Sequence, residues 1–512
     1  MLRVMRLKHR RGVFGSAALI IIAVLLSAAG CATTTETAED IPERAEVVRE
    51  DLREMIDTGE PEQAVERIGS LRSEAVLSSR ELDAFYETAA SEMQERYRAA
   101  RAGGDYVEAE RRLRSLHALG GDIEPPGFDQ LYLSWALDRE KNENIVAALH
   151  LLMQMEELSL LESSLLERFG DHAKALNDRE ALQRITGELR RRAADVPDSP
   201  GGTGDGSLDA REAIPGTVTI WVNRGIRMEQ GAGVPDRVIG SGFFIDPRGY
   251  LITNYHVIRS EVDPEYEGYS RLFVRLPGSP DTRIPAQVVG YDRLFDIALL
   301  KVEIDPPYVF SFTGIRRLDP GTEVRAIGSP GGLDNSITSG IVSATGRRFL
   351  QLGDALQVDV PINPGSSGGP LLTTTGDLVG VIFAGVPQFQ GVNFAIPSFW
   401  LSQLVSRLYE GGEISHSWIG VSLREAADGL AVNYVAPSSP AARIGLQRDD
   451  VITTIGGTRV STLAQAQDEL MDYRPGTLVR LNFRRDDGIR ARNVVVAQRP
   501  FSPIEHALQY QD

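Results

Sequence analysis

The chain runs to 512 residues, enough for several domains of ordinary size. Its 42% apolar fraction suits folded domains, and its net charge of −17 argues against nonspecific attraction to nucleic acid or to anionic membrane surfaces. One cysteine, scattered histidines and no glycine loop ahead of a helix leave no metal or phosphate motif, so neither metal nor cofactor is expected.

Arg3, Arg6, Lys8, Arg10 and Arg11 open the chain, and an apolar stretch follows from Ser16 to Ala29. The stretch is short of the roughly 20 apolar residues that span a bilayer. With the small residues Ala28-Ala29-Gly30 behind it, residues 1–30 read as a secretory leader. The ending Ala28-Ala29-Gly30-Cys31 resembles a bacterial lipobox, with Ala28 where Leu is commonest. That resemblance implies cleavage before Cys31 and lipidation of Cys31, which would hold the protein at a membrane. No thiol would then remain for a disulfide.

Residues 31–42 form a polar tether. From 43 to 196 apolar residues recur three and four apart, as at Ala64, Val65, Ile68 and Leu71, which predicts an all-α domain. Three segments within it look related: Gly59-Glu60-Pro61-Glu62-Gln63-Ala64, Gly104-Asp105-Tyr106-Val107-Glu108-Ala109 and Asn142-Glu143-Asn144-Ile145-Val146-Ala147. Each opens a helix after a turn and places a small Ala at a packing position. The spacing of about 38–45 residues is near helical-repeat periods, and the pattern weakly resembles tetratricopeptide-type helix pairs. An irregular helical bundle fits the same pattern. Either form suggests binding or spacing, not chemistry.

Residues 197–213 are a linker rich in Pro and Gly. Short β segments then run through 214–410. Gly240–Ile245, Leu251–Val257, Leu272–Leu276, Ala286–Tyr291 and Ile297–Val302 predict one barrel, and Val324–Ile327, Ile337–Ala344, Leu356–Val360, Leu378–Phe383 and Val392–Ile396 a second. His256 ends the apolar run Tyr250–Ile258, which predicts a buried strand. Asp296 sits in the apolar run Leu294–Leu300, where an unpaired carboxylate is costly and an imidazole N–H is a natural partner. Gly365-Ser366-Ser367-Gly368-Gly369-Pro370 places hydroxyls on a tight turn whose N–H groups can converge on an oxyanion. His, Asp and Ser in that order follow the chymotrypsin order. Two facing barrels would set His256 and Asp296 on one side of a cleft and Ser367 on the other.

These segments resemble the HtrA/Deg serine proteases. Gly240-Ser241-Gly242-Phe243-Phe244-Ile245 with Thr253-Asn254-Tyr255-His256-Val257 is similar to their histidine region, and Asp296-Ile297-Ala298-Leu299-Leu300-Lys301 to their aspartate strand. Gly328-Ser329-Pro330-Gly331-Gly332, Thr338–Ser343, Asp359–Leu371 and Phe394-Ala395-Ile396-Pro397 continue the likeness. It implies a chymotrypsin-like double β-barrel with Ser367 as nucleophile, His256 as general base and then acid, and Asp296 as orienting carboxylate. The oxyanion hole is expected on the Gly365–Ser367 turn, from Gly365 and Ser367 with Ser366 beside them. Ser366 stands where the family usually has Asn, and Asn393 where Gly is common in the side-chain pocket. The segment Arg259–Arg271 is a longer, acidic and aromatic loop after the histidine.

Within 415–500, Trp418-Ile419-Gly420-Val421 resembles the carboxylate-binding loop of a PDZ domain, whose exposed N–H groups receive a peptide C-terminus while the next strand edge takes the rest. Pro437–Leu446 and Asp450–Gly457 carry the rest of that likeness, and 501–512 is a tail. The reading is therefore an ATP-independent, lipid-anchored serine endopeptidase of the bacterial cell envelope, facing the periplasm and cleaving unfolded or damaged proteins. Partners would be such substrates and peptide C-termini; no nucleic acid is expected, and the family resemblance implies a homotrimer. The alternative is a catalytically silent protease fold that serves as a peptide-binding scaffold, chaperone or stress sensor.

Overall fold

The computed structural model describes residues 40–192 and 210–500, apart from 121–126, 177, 280, 312–313, 333–335, 348–353, 386–390 and 487. The leader, Cys31, the linker from 197 to 209 and the tail lie outside the described residues.

The amphipathic spacing after the tether produces helices α1 (Asp40–Asp57), α2 (Pro61–Leu71), α3 (Ser79–Gly103), α4 (Tyr106–Leu119), α5 (Phe128–Lys141), α6 (Ile145–Met153), α7 (Ser163–Ala175) and α8 (Arg179–Arg192). The three related segments start α2, α4 and α6, as the sequence predicts. Asp105 and Asn144 cap their helices by accepting the N–H of Glu108 and Ala147. Ala64, Ala109 and Ala147 are fully buried. Each helix packs on its neighbour in sequence.

After the short helix α9 (Ala210–Ala213) come β1 (Thr217–Glu229), β2 (Ala232–Asp246), β3 (Tyr250–Thr253), α10 (Tyr255–Val262), β4 (Arg271–Arg275), β5 (Ile284–Pro285), β6 (Gln287–Asp292) and β7 (Ile297–Lys301). Next are β8 (Glu323–Gly328), β9 (Ser336–Arg347), β10 (Ala355–Val358), β11 (Pro370–Thr373), β12 (Leu378–Gly385), β13 (Asn393–Pro397), α11 (Ser398–Leu408) and β14 (Gly412–Glu413). The first sheet runs β14-β6-β7-β3-β2-β1-β4-β5, and β8 to β13 close into a barrel. Together they make the trypsin-like pair of β units that the sequence predicts.

Two local expectations need correction. The apolar run predicts a strand over 251–257, yet β3 leaves the ladder after Thr253 and His256 lies in the first turn of α10. The run stays buried because Tyr255, Val257 and Ile258 form the inner side of that helix. Asn254 turns the chain by donating from Nδ2 to the Asp296 carbonyl oxygen at 2.8 Å. Asp296, in turn, is not inside a strand. It occupies the turn before β7 with φ +55°, in the left-handed region.

The last module holds β15 (Ser417–Trp418), β16 (Val421–Ala426), β17 (Gly429–Val435), α12 (Pro440–Arg443), β18 (Val451–Ile455), β19 (Thr458–Arg459), α13 (Leu463–Met471), β20 (Leu478–Arg485), β21 (Gly488–Val495) and β22 (Ala497–Gln498). The helical module touches both others. Leu478 and Val495 join the apolar core of α1–α5, Leu478 N–H donates to Ser115 Oγ at 3.0 Å, and Arg111 donates to the Gly476 carbonyl at 2.7 Å. On the other side α6 packs on α11, with Val146 in the apolar core of the β units. Arg474 pairs with Glu110 of α4 and with Glu410 just after α11, so one guanidinium ties three modules.

Candidate active site

The register of β3 on β7 sets Thr253 opposite Ala298, which brings the residues after Thr253 beside those before Ile297. His256 and Asp296 meet there twice. The His256 backbone N–H donates to Asp296 Oδ1 at 2.8 Å, and the ring Nδ1 lies 2.7 Å from Oδ2. The carboxylate is 5% exposed and the imidazole 23%, so the acid is sheltered while the ring reaches the cleft. An acceptor at Nδ1 fixes the tautomer that leaves Nε2 as a base.

A second aspartate shapes this turn. Asp292 Oδ1 accepts the N–H groups of Leu294 and Phe295 at 2.9 and 3.1 Å, and Oδ2 lies 2.6 Å from His416 Nε2. Asp292 and His416 are both buried. The sequence reading passes over both, although an Asp followed two residues on by a backbone N–H is a turn-forming pattern.

The turn that carries Ser367 has a defined shape. Ser366 N–H donates to the Asn363 carbonyl at 3.0 Å, with Gly365 at φ +102° between them, as in a type II turn. Pro364 C=O accepts from Gly331 N–H at 2.8 Å, which aims the Gly365 N–H the opposite way. A Cβ on Gly365 would lie 2.5 Å from the Ser329 carbonyl oxygen, so only glycine fits. Among the described residues, the N–H groups of Gly365 and Ser367 have no backbone acceptor. The Ser366 N–H, by contrast, is committed within the turn. Ser367 Oγ rests 3.5 Å from the Phe383 carbonyl oxygen; a hydroxyl at rest need not yet face its base.

Ser241 seats this turn against the first sheet. Its N–H donates to Ser367 C=O at 2.7 Å and its hydroxyl to Gly365 C=O at 2.7 Å, while Oγ accepts Ser329 N–H at 2.9 Å. Thr253 Oγ1 donates to Ser241 C=O at 2.7 Å. Gly368 fits between them: a Cβ there would be 2.2 Å from Ser241 O and 2.5 Å from Thr253 Oγ1. Ser367 is thereby held on β2, beside the end of the strand β3 that leads to His256. The sequence offers a signal for Ser241 and Ser329, each a serine flanked by glycine in an apolar strand or at its end.

Asn393 is buried, and its Nδ2 donates to the Val360 carbonyl at 2.7 Å, so its amide is tied to backbone. The loop 259–271 starts as the end of α10 and folds on itself through Arg259–Asp263 and Tyr266–Tyr269 contacts.

In the last module, Ile419 and Gly420 carbonyls accept from Ala441 and Ala436, both at 2.8 Å. Their N–H groups have no backbone acceptor among the described residues. Gly420 has φ +84°, and a Cβ on it would lie 2.1 Å from that of Ser439. Val421 begins β16, an outermost strand, and Val421, Leu423, Leu463 and Leu470 give the space between β16 and α13 an apolar lining. Trp418 pairs with Ala497 across β15 and β22.

Residues 240–381 match the family described as trypsin-like peptidase domain, 417–496 the PDZ domain, and 26–125 a domain of unknown function (DUF8517). The serine endoprotease DegS of Escherichia coli (strain K12) is 32% identical over 317 residues, covering 57% of this chain and 86% of DegS. A probable periplasmic serine endoprotease, DegP-like, of Marinomonas sp. (strain MWYL1) is 34% identical over 291 residues, covering 54% of this chain and 60% of its own length. The chain thus spans about three-fifths of that relative. A solved structure of the HtrA-type protease AlgW with tripeptide superposes with a TM-score of 0.50 at 27% identity, covering 57% of this chain and 97% of that one.

Proposed function

Because the chain belongs to the HtrA/Deg family of trypsin-fold serine proteases, we propose that it is an ATP-independent serine endopeptidase of the bacterial cell envelope, acting on unfolded or damaged proteins. The observation that carries this reading is the half-buried His256–Asp296 pair together with a Ser367 turn whose Gly365 and Ser367 N–H groups have no backbone acceptor among the described residues. Ser367 attacks the scissile carbonyl and His256 Nε2 takes its proton. Asp296 holds the ring and offsets the imidazolium charge. The tetrahedral oxyanion is received by the N–H groups of Gly365 and Ser367. His256 then returns the proton to the departing amine, and water releases the acyl group by the same route.

The Trp418–Val421 loop receives the C-terminal carboxylate of a peptide on its N–H groups, and the peptide adds to the free edge of β16. Cys31 carries the lipid that holds the protein to a membrane on the periplasmic side, and three copies assemble. The test is labelling of the purified chain by a fluorophosphonate, with an unfolded protein digested in parallel. Labelling and cleavage should both vanish in Ser367→Ala and in His256→Ala. A wild-type chain that neither labels nor cleaves, even with C-terminal peptides added, would leave the scaffold reading instead.

A further inference from the structure

The outer face of the first sheet carries a cluster that the hydrolytic steps do not use. Ile239, Trp221, Phe273 and Pro285 pair in one row across β2, β1, β4 and β5. Two residues along the same face, Arg237 of β2 lies opposite Asn223 on one side of this row, while Arg275 of β4, opposite Thr219, and Arg283, just before β5, lie on the other. The Arg275 guanidinium lies 4.3 Å from the centroid of the Trp221 ring and that of Arg237 4.8 Å from the same ring. Arg283 lies 5.1 Å from the Phe273 centroid, and the two rings stack at 6.3 Å. Arg237 and Arg283 are exposed. Among the described residues, none of these three arginines has a carboxylate within ion-pair distance, although the chain carries a net charge of −17. The Trp221 indole N–H and Arg275 Nε are buried without a hydrogen-bond partner.

Two guanidiniums thus flank one ring from either side, and among the described residues no carboxylate lies within ion-pair distance of them. Contact with the aromatic rings holds the guanidiniums in place in advance, which lowers the entropy lost when an anion binds. The cluster is a preorganised receptor for carboxylates.

Its position identifies the ligand. One step beyond the row, β1 and β2 pair Thr219 with Ser241, which bond Ser329 and the Ser367 turn. Gly332, in the segment that meets that turn, lies so close to Trp221 that a Cβ would be 2.9 Å from the indole. The receptor therefore adjoins the nucleophile. In acyl transfer the amine half of the substrate leaves beside the residue that protonates it, and His256 belongs to the same β unit as this face. We propose that this face binds acidic residues on the carboxyl side of the scissile bond and so makes an acidic leaving segment a determinant of substrate choice. The proposal rests on the endopeptidase reading. An anionic bilayer has similar chemistry, but adjacency to the nucleophile favours a polypeptide.

The experiment uses the full chain and pairs of quenched peptides identical before the scissile bond. They carry Asp and Glu, or Lys, at the second to fourth positions after it. The acidic peptide should have a kcat/KM about tenfold higher at low salt, as two or three partly exposed charge pairs allow, and the ratio should shrink as salt rises. In Arg237→Glu/Arg275→Glu the ratio should fall to one or below, whereas Arg237→Lys/Arg275→Lys should keep part of it. Misfolding would lower both rates and leave the ratio alone. A wild-type ratio near one, or a ratio unmoved by charge reversal, overturns the proposal. Fluorescence anisotropy of a labelled acidic peptide on Ser367→Ala gives the same comparison without turnover, so a failure of the endopeptidase reading is distinguishable. Loss of binding to phosphatidylglycerol vesicles on charge reversal, with the peptide ratio unchanged, assigns the face to a membrane and also overturns it.

Discussion

Ser241 and Ser367 stand on different β units, and the backbone N–H of the first donates to the carbonyl of the second at 2.7 Å. The Ser241 hydroxyl meanwhile bonds Gly365 C=O and Ser329 N–H. One residue of the first sheet thus holds both flanks of the turn that carries Ser367, Gly365 by its hydroxyl and Ser367 by its N–H. Ser241→Ala leaves two buried backbone groups unpaired and should cost about 1–3 kcal/mol of stability. The turn loosens more than the rest, so kcat should fall about tenfold or more with KM nearly constant. Thermal melts and steady-state kinetics on one peptide check both; a kcat equal to wild type would show that Ser241 does not position the turn.

Asp296→Asn keeps a side chain that tolerates φ +55° and keeps the fold. It removes the charge and allows the wrong histidine tautomer. A loss of about 10⁴-fold in kcat is expected, by analogy with the same change in other serine triads. Asp296→Ala should add a stability loss, because Ala is strained in that backbone region. Equal melting temperatures for the two variants would contradict the strain argument.

The Asp292–His416 pair links the start of the last module to the turn that delivers Asp296. His416→Ala leaves the buried Asp292 carboxylate without that partner and should cost about 3 kcal/mol or more. Because Asp292 organises Leu294 and Phe295, kcat should drop together with stability. Asp292→Asn, which can still accept the two N–H groups, should be milder in both. Denaturant unfolding beside kcat gives the comparison, and a His416→Ala variant with wild-type stability would remove the argument.

The junction of the three modules should be acid-sensitive. Burial disfavours the charged form of Glu110, but the guanidiniums of Arg114 and Arg474 and the Tyr132 hydroxyl outweigh it, so its carboxyl is held below the usual carboxylate range. A lowered value in the folded state means stability that is fully present above the ordinary carboxylate pKa, about 4.3, and lost as pH falls through the lower folded value. Glu110→Gln should be destabilised at neutral pH, and its deficit relative to wild type should shrink as pH falls below about 4. Melting curves from pH 3 to 7 test this; a deficit independent of pH would rule out the linkage.

Much of this architecture is legible in the chain because local patterns and global fold agree. The caps at Asp105 and Asn144, the buried Ala64 and Ala109, and the glycines at 365 and 420 do in space what their sequence context implies. The reading goes astray at Tyr250–Ile258, since an apolar run bounded by polar residues is equally a buried strand or a strand followed by the inner side of a helix. It misses Asp292, His416 and Ser241 for a different reason. Local signals mark the Asp292 turn and the glycine-flanked Ser241, but the Asp292–His416 pair and the bonds of Ser241 to Gly365 and Ser329 join residues distant along the chain, and periodicity carries no record of such pairs. The docking of α2 and α4 on β20 and β21 is hidden likewise, because Leu478 and Val495 look like ordinary core residues of their own module.

That docking alters what a backbone nick would accomplish. Residues 193–209 are the covalent bridge between the helices and the protease, yet the two pieces also grip each other through Arg179–Asp377 and through the last module at Arg474–Glu110 and Arg443–Glu66. A cut in that bridge yields two fragments that migrate as one particle until the interfaces are undone. If Cys31 bears a lipid, severing the bridge alone would not shed the hydrolase into solution. Release would require both scission and undocking, a two-key arrangement written into where the helices lie.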